Sequence, residues 1–237
     1  MAAGRLNAAR VKLLALRSRR VPPALDDKIL AAWNGMMIRA LARGAQVTGQ
    51  AAYAQAAARG ARFVLGQMRT PQGGLWRSWR AGQAAVPAFA EDYAHMISAL
   101  TELYQTDFDP QWLTLAQELA ERLVADFYDP AHGGFFSADG RDRTLVARVK
   151  EYYDGATPSA NSQAVHALLS LGRLTGRDQW TQPALATLHA AAGAMTQTPQ
   201  ASSHMLAALA SMPARASQAA VVGPAGDPHT RQLLNAL

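Results

Sequence analysis

No cysteine occurs among the 237 residues. Disulfides, thiol nucleophiles and thiolate-held metals are therefore excluded in this chain. Aromatic residues are sparse, at 7 %, and no apolar run is long enough to span a bilayer. An HExxH pair, a GxSxG elbow, a Walker glycine loop and a Cys/His cluster are all missing. Zinc-hydrolase, serine-hydrolase and nucleotide chemistry thus have no motif to carry them, and neither a metal nor a cofactor is expected. Acidic residues are absent from the first 25 positions, which hold Arg5, Arg10, Lys12, Arg17, Arg19 and Arg20. The remainder has 17 basic and 17 acidic residues, so the net charge of +6 resides in that segment. A basic, acid-free start fits an organelle transit peptide, a nucleic-acid arm or a solvated helix face. Leu6, Leu13, Leu14 and Leu16 give the segment a side to dock, and no aromatics interleave with its bases as single-strand binding requires. A solvated helix face is the expectation. Neither nucleic acid nor a membrane is expected as a partner, and the location is read as cytoplasmic, with organelle targeting left open.

What is present is a repeat. Ile38-Arg39-Ala40-Leu41, Ile97-Ser98-Ala99-Leu100 and Val165-His166-Ala167-Leu168 are each followed, after twelve residues, by Tyr53, Trp112 or Trp180. Four residues further on stand Ala57, Ala116 and Ala184, so every matched position is offset by 59 and then 68 residues. Periods of this size mark a repeated supersecondary unit that buries its apolar face on its neighbours. The abundance of alanine makes that unit helical. The spacing predicts helices over 5–18, from an Asp26 cap to about Val47, and over 51–69, 90–105, 111–128, 160–174, 178–195 and 200–211. Short turns make three antiparallel hairpins of them, about 26–69, 90–128 and 160–195. The fold class is all-α, a toroid of helical hairpins occupying residues 1–212. The tail, 213–237, reads as a short buried β-strand at 218–223 followed by a helix start at Pro228.

The stretches between hairpins repeat too. Gly73-Gly74-Leu75-Trp76 follows the first and Gly133-Gly134-Phe135-Phe136 the second, now with an offset of 60. The long loops 70–89 and 129–158 are expected to shape a cleft, since function gathers on such loops.

Aligning the repeats places Asn34, Tyr93 and Asn161 in one register at the start of three helices. Free N–H groups and partial positive charge at helix starts suit hydroxyl-rich or anionic ligands. One reading is a pocket lined by Trp33, Asn34, Tyr93, Ser159 and Asn161. In it Glu91, Asp92 and Asp154 are candidate catalytic carboxylates, because glycoside hydrolysis needs two carboxyls flanking a bond. The other reading is that Asp92, Ser159 and Asn161 merely cap their helices. His95 and His166 could move a proton beside a sugar carbonyl, as an epimerase requires, or could be packing residues.

Three motifs resemble one family. Asp26-Asp27-Lys28-Ile29-Leu30 with Trp33-Asn34-Gly35-Met36-Met37-Ile38, Pro87-Ala88-Phe89 with Glu91-Asp92-Tyr93-Ala94, and Arg148, Lys150 with Asp154-Gly155-Ala156 and Pro158-Ser159-x-Asn161-Ser162 occur in order. They resemble the thioredoxin-domain-containing proteins related to spermatogenesis-associated protein 20. That resemblance implies a thioredoxin-like domain followed by an (α/α)6 toroid similar to N-acylglucosamine 2-epimerase and other six-hairpin sugar enzymes. It adds Arg148 and Lys150 to the expected substrate contacts. It implies a sugar isomerase, epimerase or glycosidase-like activity on a sugar-like small molecule. The alternative is a non-catalytic binding module serving the thioredoxin-like domain. Seven or eight helices against the twelve of a closed ring predict an incomplete toroid lacking that domain. In the family, as the resemblance has it, apolar or small residues stand where this chain has His95 and His166.

Overall fold

The computed structural model describes residues 2–212, 221–224 and 227–236. Its centre is a two-layer arc of helices. The inner row is α2 (Ala31–Thr48), α4 (Ala90–Asp107), α6 (Ala160–Thr175) and α8 (Ser203–Ala210). The outer row is α3 (Ala51–Gln67), α5 (Pro110–Phe127) and α7 (Asp178–Gln197). Consecutive inner helices pack on one another, and each outer helix packs on the inner helices before and after it. The repeat motif supplies the packing. Ile38, Ile97 and Val165 are buried, as are Ala57, Ala116 and Ala184, and Trp112 and Trp180 are the largest side chains with almost no exposure. Each buried tryptophan contributes on the order of 3 kcal/mol through the apolar area it removes from water. Among the described residues, no helix is long and apolar enough to cross a membrane.

The repeat extends into the excursions. Arg69 forms a β-bridge with Leu75, and Tyr128 forms one with Phe135. The first members of these bridges are 59 residues apart and the second members 60. The extra residue therefore lies in the turn between them. Thr70 N–H donates to Gly74 O in one copy and Asp129 N–H to Gly134 O in the other, both at 2.9 Å. Tyr93 and Asn161, which share a register, then do the same task. The Tyr93 hydroxyl accepts the N–H of Leu75 at 2.9 Å, and Asn161 Oδ1 accepts the N–H of Phe135 at 2.6 Å.

Four expectations are corrected. The second helix starts at Ala31 with Leu30 at its cap, not at Asp26. Ile29–Leu30 form β1, which pairs with β2 (Trp76–Arg80), and β2 pairs in turn with β3 (Gln83–Pro87). The loop 70–89 is thus largely a β-hairpin. Its two-residue turn, Ala81-Gly82, has positive φ at both positions, the geometry that matches strand twist. The basic first helix, α1 (Ala2–Arg17), buries no residue, and the leucines expected to dock it are all more than half exposed. At the C-terminal end, 218–220 of the expected strand lie outside the described residues. Val221 and Val222 are in no strand, and Val222 is almost fully exposed. The helix expected there is α9 (Pro228–Ala236).

Candidate functional site

The two aspartates expected to be catalytic are helix clamps. Asp92, fully buried, accepts the N–H of Phe89 and of Ala32, both at 2.9 Å, and pairs with Arg77 at 3.1 Å. It caps its own helix, α4, and ties it to the start of α2. Burial pushes its carboxyl up to about 6, against the pull of the Phe89 N–H and of Arg77. Asp154 accepts the N–H of Ser159 at 2.9 Å, of His204 at 2.8 Å and of Met205 at 3.2 Å. It joins the start of α6 to the start of α8. Burial acts to raise its carboxyl, but these donors together with the Ser162 side chain outweigh burial and hold it below its ordinary value.

The other expected contacts are mostly engaged with the fold. Asn161 is fully buried and, besides Phe135 N–H, its amide donates to Phe135 O and Glu151 O, both at 2.9 Å. Ser159 caps α6 through Ser162 N–H. Asn34 donates to Leu30 O one turn back. Arg148 donates to Ala138 O and Asp126 O, and Lys150 to Asp129 and Gly133 O. The two cations lie over the Phe136 ring and hold the excursion 129–150 together. Trp33 is 64 % exposed.

Glu91 is the expected carboxylate that keeps access. It pairs with Arg77 at 2.5 Å and lines a cleft of about 260 Å³ at the start of α4 and α6. Phe89, Glu151, Tyr153 and Ser159 share that lining. A second cleft of about 230 Å³ lies next to it, across Pro158, and reaches Asp154 and His204.

His204 was not among the expected residues, and it completes a set. Its ring stacks on His166 with centroids 4.0 Å apart and planes 35° apart. His95 of α4 acts electrostatically on His204, and Arg39 of α2 on all three imidazoles. Burial is the largest cause that lowers each ring, taking His95 and His204 down to about 4. The set lies in two layers that the repeat defines. Arg39, Ser98 and His166 occupy the variable position of the motif. One turn earlier stand Met36, His95 and Gln163. If Ala208-Leu209 is taken as the fourth Ala-Leu pair of the motif, His204 joins the earlier layer. That pair was the available signal, hidden because α8 has eight residues and lacks the downstream aromatic. Gly35 lets α2 approach α4 closely, since a Cβ there would lie 2.9 Å from the His95 carbonyl carbon.

The imidazoles make stability depend on pH. An unfolded histidine takes up a proton below about 6.5, whereas buried His95 and His204 stay neutral to about 4. The stability they contribute is present above 6.5 and is lost as pH falls towards 4. Asp92 acts oppositely, because its raised carboxyl favours the protonated folded state between 3.8 and about 6. Two groups outweigh one. Discounting His204 for its partial exposure, the chain should lose about 1–2 kcal/mol between pH 7 and pH 5. Urea midpoints at the two pH values check this, and an unchanged or higher midpoint at pH 5 contradicts the buried neutral histidines.

No family model matches the chain. Spermatogenesis-associated protein 20 of Rattus norvegicus is 34 % identical over 97 % of the chain, and the Homo sapiens protein of that name is 32 % identical over the same share. Over nearly its whole length the chain is similar to spermatogenesis-associated protein 20. It spans 30 % of the length of these curated relatives. Among solved structures, cellobiose 2-epimerase from Spirochaeta thermophila is similar with a TM-score of 0.58 and 18 % identity, over 69 % of this chain and 43 % of that one. The GH76 α-mannanase BT2949 of Bacteroides thetaiotaomicron gives 0.58 and 16 %, over 73 % and 45 %. A D-mannose isomerase gives 0.56 and 17 %, over 69 % and 40 %. At these identities the likeness is one of fold. The arc of hairpins is the (α/α)6 toroid architecture.

Proposed function

We propose that the chain is a carbohydrate-active toroid module that binds a sugar-like small molecule and moves a proton beside its carbonyl group, as sugar isomerases and epimerases do. One observation carries this. Consecutive inner helices α6 and α8 stack His166 on His204, and Arg39 of α2 and His95 of α4 act on His204 electrostatically. Imidazoles held neutral by burial can accept a proton at pH 7. A nearby guanidinium can stabilise the oxyanion that forms when a carbon next to a carbonyl is deprotonated. The adjacent clefts would admit the ligand, with Glu91 and Ser159 at the entrance and Phe89 and Tyr153 as faces for a sugar ring. A glycosidase-like reaction has less support, since it needs two free carboxyls and the Asp92 and Asp154 oxygens are occupied by backbone donors.

The test is proton exchange. The chain is incubated in deuterated water with a panel of aldoses, ketoses, N-acylhexosamines and reducing disaccharides, and the carbon next to the carbonyl is followed by NMR. Deuterium should enter at that carbon for at least one sugar, and His166→Gln and His204→Gln chains of unchanged melting temperature should lose the exchange. Saturation-transfer binding without exchange across the panel would replace this reading with a non-catalytic binding module, the form in which the chain would serve a thioredoxin-like domain.

A further inference from the structure

The layer of Met36, His95, Gln163 and His204 has a glutamine where a neighbour on either side has a histidine. Gln163 is 1 % exposed, and both ends of its amide are used. Its Nε2 donates to Ser98 Oγ at 2.6 Å, and its Oε1 lies 3.1 Å from His204 Nε2. An amide oxygen can only accept, so His204 Nε2 must carry the proton. His166 Nε2 lies 2.8 Å from the backbone oxygen of His204, which also only accepts. Both stacked rings are therefore fixed with hydrogen on Nε2.

We propose that Gln163, hydrogen-bonded to Ser98, is a positioning residue that locks His204 in the Nε2–H tautomer and so leaves Nδ1 as the basic nitrogen of the site. The inference rests on the proton-transfer reading above and adds which atom accepts the proton and what selects it. Stacking makes the two rings a one-proton pair, because a charge on either opposes a charge on the other. Most of the surrounding charges act in the same sense. Arg39 of α2, His95 of α4 and Arg173 of α6 disfavour an imidazolium here, and Asp154 favours one. A leucine at 163 would fill the space without selecting a tautomer. A glutamate would select the same tautomer and add a stabilising charge.

The experiment is long-range proton–nitrogen correlation NMR on the 237-residue chain labelled with 15N-histidine. At pH 7, His204 and His166 should each show an unprotonated Nδ1 and a protonated Nε2. Gln163→Leu should turn His204 into a mixture of tautomers while His166 keeps its pattern. Gln163→Glu should raise the His204 pKa by about one unit or more. A His204 protonated on Nδ1 in the unaltered chain means that the amide is turned the other way and overturns the proposal. So does a His204 pattern that Gln163→Leu leaves unchanged. The unaltered chain gives its answer even if a variant fails to fold. The nitrogen shifts are read without turnover, so a failure here leaves the exchange assay untouched, and an absence of exchange leaves the tautomer assignment standing.

Discussion

Replacing Asp154 with alanine should destabilise the chain by about 3–5 kcal/mol, a substantial part of the roughly 5–15 kcal/mol a folded domain has in reserve. The side chain is buried, and its two oxygens accept three backbone N–H groups. Those donors belong to the free first turns of two helices, which have no partner inside their own helix. Removing the carboxylate leaves Ser159, His204 and Met205 N–H unpaired together. It also releases α8 from α6, and with it the helix that carries His204. Glu91→Ala is the contrasting change. That carboxylate is one third exposed and meets only Arg77, so the loss should stay below about 1 kcal/mol. Urea unfolding compares the two. An Asp154→Ala chain with an unaltered midpoint would return Asp154 to the candidate catalytic residues.

Gly133→Ala should cost about 3 kcal/mol through two additive causes. Its φ is 70°, in the left-handed region that side chains disfavour. A Cβ there would also lie 2.5 Å from the backbone oxygen of Ala186 on α7, which cannot rotate away. Gly49, at φ 69°, closes α2 with nothing within 4 Å of a Cβ, so Gly49→Ala isolates the conformational part, about 1 kcal/mol. Thermal melts of the two variants separate strain from collision. Equal losses would mean that the second excursion does not dock on α7 as described.

The helices were legible because their evidence is periodic. Ile38, Ile97 and Val165, with the aromatics and alanines downstream, fix inner and outer rows through burial alone. The β-hairpin was not legible. Gln83-Ala84-Ala85-Val86 carries little strand preference, and Ala81-Gly82 is not a common hairpin turn. Only the Trp76-Arg77-Ser78-Trp79 alternation hinted at it. The site was half legible. The register of Asn34, Tyr93 and Asn161 pointed to the end of the inner helices where a cleft opens, but at that end the polar groups hold backbone. A residue's type and position do not reveal whether its lone pairs are taken. Asp92, Asp154, Asn161, Arg148 and Lys150 each suit a ligand in isolation, and each has a main-chain partner in the folded chain.

The sequence by itself determined the hairpin repeat, the two helical layers and the absence of thiol chemistry. All of these follow from residue type and spacing along the chain, which burial reads directly. Only the tertiary structure decided which polar groups remained for chemistry. His166 and His204 are 38 positions apart, and the packing of α6 and α8 stacks their rings. The same packing brings backbone donors onto the carboxylates of Asp92 and Asp154.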